Sequence, residues 1–93
     1  MELNFDWDSI KSKENIGKHG VSFGEAATVF HDPLSVFIPD TVHSDNEERL
    51  LLLGLSEHRR LLVVSHTERE NIIRLISARL ATGNEKRNYE EEL

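Results

Sequence analysis

The chain of 93 residues has no cysteine. Disulfides, thiolate metal sites and cysteine nucleophiles are thereby excluded together, and the lack fits a reducing, cytoplasmic setting. Long apolar runs are missing too. No run is longer than Leu50–Leu53, which is strand-sized and far short of the ~20 residues of a membrane span. The opening Met1-Glu2-Leu3-Asn4 has neither a basic segment nor an apolar stretch, so no signal peptide is expected. There is no glycine-rich phosphate loop and no serine nucleophile elbow. The five histidines, at 19, 31, 43, 58 and 66, show no HExxH or other strong metal spacing. The expectation is therefore no metal and no cofactor, although three histidines converging in space would escape such a reading.

Arginine is absent from the first half. Residues 1–48 hold three lysines, no arginine and ten acids, a net charge of −7. Residues 49–87 hold eight basic and four acidic side chains, a net of +4, and Glu90, Glu91 and Glu92 give the last six residues −3. The total of −6 argues against a nucleic-acid partner. The asymmetry argues for a basic surface on an acidic body, or equally for ordinary solvated strand and helix faces. With 38% hydrophobic and 30% charged residues the composition is globular rather than disordered. The length gives one domain, 1–93, with a modest core and a stability sensitive to partners.

Periodicity supplies the elements. Leu3 to Trp7 alternates apolar and polar residues as a short strand does. Asp8 stands where an N-cap would, before a weakly amphipathic helix carrying Ile10 and Ile16 that Gly20 can end in the left-handed conformation. Ser22-Phe23-Gly24-Glu25 fits a capping box, in which hydroxyl and carboxylate each satisfy an open backbone N–H. Phe23, Ala26, Ala27 and Phe30 then share one face of a second helix, which Asp32-Pro33 stops. Residues 34–38 read as a strand and 40–48 as a polar loop containing His43. Three further strands are expected over 49–55, 60–67 and 72–81, joined by the short polar linkers 56–59 and 68–71 in antiparallel hairpins. Thr82-Gly83-Asn84-Glu85 is a second capping box, opening a short helix with Lys86, Arg87 and Tyr89. The expected fold is α+β: two N-terminal helices on one face of a curved, mainly antiparallel sheet of four to five strands, with a short C-terminal helix and part of one sheet face open.

Chemistry would sit on the late strands. Arginines among apolar strand residues either pair with an acid such as Glu47 or Glu68, their stems covering apolar surface, or grip phosphate through a bidentate fork. Strict alternation places Arg74 and Arg79 on opposite faces unless a bulge intervenes. Metal-free RNA cleavage needs a group to take the 2′-OH proton, cations for the charge gathering on the phosphate, and a donor for the leaving 5′-oxygen. Arginine and lysine suit the second task; His66, His19 or Tyr89 suit proton transfer. Each has an ordinary alternative. His66 shares a strand face with Leu62 and Val64, Tyr89 can pack the last helix onto the sheet, and Lys18 and His19 can complement a helix C-terminus.

The order of motifs resembles the BrnT toxins from about residue 5 to 90. The resemblance is carried by Phe5-Asp6-Trp7-Asp8, Lys18-His19-Gly20-Val21-Ser22-Phe23 and Glu25-Ala26-Ala27, then Asp32-Pro33, His43-Ser44 and Glu47-Glu48-Arg49. It continues through Leu61-Leu62-Val63-Val64, Thr67-Glu68-Arg69, Ile76-Ser77-Ala78-Arg79 and Glu85-Lys86-Arg87-Asn88-Tyr89-Glu90. It implies a RelE-like ribonuclease fold and metal-independent RNA cleavage that stops translation. It also implies a BrnA-type antitoxin partner, with operator DNA bound only through the complex. On that likeness Arg69 and Arg79 match best, with His66, Tyr89 and Lys18 carried over less closely. Joined to the reading of the residues, this makes Arg69, Arg79, His66 and Tyr89 the catalytic candidates and Lys18, His19, Arg74, Lys86 and Arg87 the RNA-binding ones. The acidic ending Glu90-Glu91-Glu92 departs from the more basic ending of related chains and implies weak non-specific RNA affinity. The rival reading is a non-catalytic partner-binding co-repressor, its acidic residues 2–48 seating a basic partner. A repressor acting alone is disfavoured, because no helix-turn-helix with a basic recognition helix is visible.

Overall fold

A computed structural model describes residues 2–40 and 49–91. The expected loop 40–48, with His43 and Glu47, lies almost wholly outside the described residues. The order of elements is β1 (Asn4–Asp6), α1 (Ser9–His19), α2 (Phe23–Thr28), a 3-10 turn (Val29–His31), β2 (Val36–Ile38), β3 (Leu50–Leu55), β4 (Leu61–Arg69), β5 (Ile72–Leu80) and α3 (Gly83–Glu91). The five strands form one sheet in the order β1-β5-β4-β3-β2. Pairing is antiparallel from β2 through β5, and β1 adds to β5 in parallel. The expected α+β order of elements is thus observed, with a mixed sheet.

Local signals explain most boundaries. The Asp8 carboxylate accepts the N–H groups of Ile10 and Lys11 at 2.8 and 3.1 Å, and Gly20 closes α1 at φ 70°. Thr82 and Glu85 form a complete capping box: Glu85 Oε1 accepts the Thr82 N–H at 2.8 Å and Thr82 Oγ1 the Glu85 N–H at 3.2 Å. The box at Ser22 is only half made. Ser22 Oγ accepts the Glu25 N–H at 3.0 Å, but the buried Glu25 carboxylate binds Ser56 Oγ at 2.7 Å and the Arg60 guanidinium. That pair ties α2 to the β3–β4 turn and holds the Glu25 carboxyl below its ordinary range, mainly through the Arg60 hydrogen bond. A second difference lies at the β4–β5 hairpin. β4 runs on to Arg69, so the link is the two-residue Glu70-Asn71, both at positive φ (52° and 69°), as a twisted hairpin requires.

The two sheet faces bury different things. Val64, Leu62, Leu52, Ile73, Leu75 and Ala78 meet Phe23, Ala26 and Val29 on the helix-covered face. On the other face Leu53 and Val63 pack with Tyr89 of α3, and among the described residues no α3 side chain lines the region toward β1. Ile10 and Ile16 are not core residues: they are 68% and 49% exposed, and the buried residue of α1 is Asn15. Its Nδ2 donates to the Val21 and Ala78 carbonyls at 2.7 and 2.9 Å, and its Oδ1 accepts the Ala78 N–H at 3.1 Å. Strand β1 reaches only to Arg74 on β5, so the Asn15 amide takes over as edge partner where that strand has ended. Gly54 is needed for close approach. A Cβ there would lie 2.8 Å from Val29 Cγ1 and 2.9 Å from Ser35 Cβ.

Candidate functional site

The register of β4 against β5 shifts between Ser65 and His66: Ser65 faces Ser77, but His66 faces Leu75. The extra residue on β5 resets the alternation. Arg79, opposite Val63, and Arg74, opposite Thr67, therefore share the face that α3 partly covers. So does Arg69, opposite Ile72. Cross-strand geometry puts Thr67 about 5 Å from Arg74, and Arg69 on the next diagonal at about 7–8 Å.

The uncovered part of this face forms an open groove of about 680 Å³. Its cations are Lys11, Arg49, Arg69 and Arg74, its acids Asp6, Glu68 and Glu70, and its floor Thr67, Ile72 and Ile76. Asp6 is registered with Arg74 by the β1–β5 pairing and forms an ion pair with it. The capping hydrogen bonds of Lys11 and Ile10 hold the neighbouring Asp8 carboxyl below its ordinary range, and the Arg74 charge adds to the effect. Four cations on one concave surface suit an anion with several oxygens. The sequence assigns Lys11, Asp6, Arg49 and Thr67 no role in a site, the last three appearing there only within family motifs. Their convergence depends on β1 pairing in parallel with the last strand, which no local pattern announces.

The other candidates are distributed as follows. Arg79 lies further along the strand, its guanidinium in a fork with Glu85 at 2.8 and 2.9 Å. That fork holds the Glu85 carboxyl down to about 2. His66 is fully buried on the helix-covered face, edge-on to Phe30 with centroids 4.8 Å apart, its Nε2 3.0 Å from Glu68 Oε2. It lies on the face opposite Arg74 and reaches the groove only through its bond to the lining Glu68. Tyr89 is buried as well. Its hydroxyl donates to Asp32 Oδ2 at 2.7 Å, and burial with the Asp32 charge pushes its pKa up to about 12. Lys18 and His19 end α1, at the end of the molecule where Arg60 donates to the Gly20 carbonyl at 3.0 Å, about 10 Å along the helix from Lys11. Lys86 and Arg87 are exposed on α3, with Arg87 hydrogen-bonded to Asn84. Of the predicted residues, the groove gathers Arg69 and Arg74.

Among the described residues no group of three or more His, Cys, Asp or Glu side chains is placed to hold a metal ion, and no helix is long and apolar enough to cross a membrane.

The fold and groove define a small one-sheet α+β protein that presents guanidinium groups on an open strand surface. Residues 7–85 match the family described as "Ribonuclease toxin, BrnT, of type II toxin-antitoxin system". The chain belongs to the BrnT family of ribonuclease toxins. Its fold is similar to the crystal structure of the Brucella abortus ribonuclease toxin BrnT, with a TM-score of 0.66 and 21% identity over 87% of this chain and 99% of that one. No curated protein matches the sequence.

Proposed function

We propose that the chain is a metal-independent endoribonuclease that cleaves RNA at the β4–β5 groove, inhibits translation in the cytoplasm and is silenced by a BrnA-type antitoxin. Operator DNA would be met only through that complex. The observation that carries this reading is the convergence of Arg69 and Arg74 with Lys11 and Arg49 on one open surface. Family membership supplies the ribonuclease class and, as part of a type II system, an antitoxin partner.

The chemistry follows from the side chains. Arg69 and Arg74 hold the two non-bridging oxygens of the scissile phosphate and stabilise the charge that grows there when the 2′-oxygen attacks. Lys11 and Arg49 hold flanking phosphates. Arg79 acts on substrate only if Glu85 releases it; in the present arrangement it fixes the start of α3. His66 and Tyr89 serve as supports, one behind β4 and one under α3.

A second reading has its own observation. Arg74 and Arg79 both carry acid partners, as they would in a module that only binds its antitoxin and represses with it. Expression of the chain alone separates the two readings. The nuclease predicts growth arrest and broken RNA that persist with a chelator in the lysate assay and vanish in Arg69→Ala and Arg74→Ala with folding retained. The binding module predicts intact RNA and unimpaired growth.

A further inference from the structure

The groove lacks the usual proton carriers. Among the described residues that line it there is no histidine and no tyrosine; the titratable groups able to accept a proton are the carboxylates of Asp6, Glu68 and Glu70. Two of them are poorly placed. The Glu68 carboxylate lines the groove, but its partner is Nε2 of the buried His66 at 3.0 Å, and among the described residues no groove cation is bonded to it. Glu70 sits at the hairpin tip with φ 52°, beyond the last paired position of the strands. Asp6 differs from both. It is the last residue of β1, its register partner on β5 is Arg74, and its carboxylate is bonded to the Arg74 guanidinium beside the groove floor. One guanidinium can hold a carboxylate on one edge and a phosphate oxygen on another, because it carries five N–H donors.

We propose that Asp6 is the proton acceptor of the cleavage reaction, held by Arg74 at the flank of the bound phosphate. This rests on the groove being the RNA site. In the step, the 2′-O–H bond breaks and its proton passes to an Asp6 carboxylate oxygen. The 2′-oxygen forms a bond to phosphorus, the bond from phosphorus to the 5′-oxygen breaks, and the departing 5′-oxygen takes a proton from water. The products are a 2′,3′-cyclic phosphate and a free 5′-hydroxyl. Asp6 then returns its proton to solvent.

The test uses the purified chain, a short single-stranded RNA and the same oligonucleotide with 2′-deoxyribose throughout. Binding is read by fluorescence anisotropy and cleavage by single-turnover gel assay. Asp6→Asn keeps a carbonyl oxygen for Arg74 but accepts no proton. It is expected to bind RNA as tightly as the wild type or more tightly, because a negative charge leaves the groove, and to cleave it about a hundredfold or more slowly. Asp6→Glu is expected to recover part of the rate, and millimolar formate to restore cleavage to Asp6→Ala in proportion to its concentration. Cleavage by Asp6→Asn at the wild-type rate or faster overturns the proposal and makes Asp6 a mere competitor for Arg74. Asp6→Asn that is unfolded by circular dichroism leaves Asp6→Glu and formate rescue to decide, and failure of both overturns it. Intact RNA with a wild-type chain that arrests growth overturns the groove reading itself, and this proposal with it; that outcome is told apart by the wild type alone.

Discussion

At the scale of single residues, buried polar side chains connect elements that the apolar core also joins. Asn15 is the clearest instance, because one amide satisfies three backbone groups on two segments. Asn15→Ala would leave the Ala78 N–H and two carbonyls without partners in a buried place. Each such group costs about 1–3 kcal/mol, partly relieved by water, so a loss of about 2–3 kcal/mol is expected in urea denaturation. A loss below 0.5 kcal/mol, on the order of a surface change, would show the amide to be dispensable. Tyr89 gives a second measurement, and as the chain's sole tyrosine it reports without interference. Its folded pKa, about 12, lies above the ordinary 10. Burial of the neutral phenol, with its hydrogen bond to Asp32, therefore contributes fully below pH 10, and that contribution fades as pH climbs from 10 through 12. Tyrosinate absorbance should rise only near the upper end of that window in the folded wild type, and earlier in Asp32→Asn.

At the scale of elements, α3 is tied to the sheet through Tyr89 and the Arg79–Glu85 fork. Its buried residue is Tyr89, and its first turn is fixed by the Arg79–Glu85 fork. Glu85 has its folded pKa lowered to about 2 from 4.5, so the fork contributes above pH 4.5 and is lost as pH falls from there toward 2. Screening of the half-exposed Arg79 reduces the contribution to about 1–2 kcal/mol. Tyr89 ring resonances should therefore broaden or shift in that acid window, and in Glu85→Gln already at neutral pH; unaltered resonances in that variant would remove the fork as an anchor. Element order was legible in the sequence because caps and alternation are local: Asp8, Gly20, Ser22 and Thr82 stand where the helix ends are. What escaped was non-local. The half-made box at Ser22 depends on Arg60, 35 residues from Glu25, and the bulge that brings Arg74 and Arg79 to one face depends on the match of two strands. For the same reason the site was legible only in its arginines. Exposure of His66 and Tyr89 is a property of the packed sheet, and an apolar neighbourhood in sequence fits a buried histidine as well as a proton carrier.

At the scale of the whole molecule, charge sets how RNA can be met. The chain carries −6 overall, yet one groove gathers four cations against three acids. Long-range attraction is therefore weak, and binding must come from close contacts in the groove rather than from the body's field. This separates the protein from uniformly basic nucleases in a measurable way. If Arg69, Arg74 and one flanking cation neutralise about three phosphates, the plot of log affinity against log salt for a single-stranded RNA has a slope of about −2. Removing one phosphate contact flattens it by about 0.7. Arg69→Ala should show that change, since Arg69 lines the groove and has no ion-pair partner among the described residues. Lys18→Ala and Arg87→Ala, at the far end of α1 and on α3, should leave the slope as it is. A slope that flattens with Lys18 or Arg87 but not with Arg69 would move the RNA path off the β4–β5 surface, onto the outer helices.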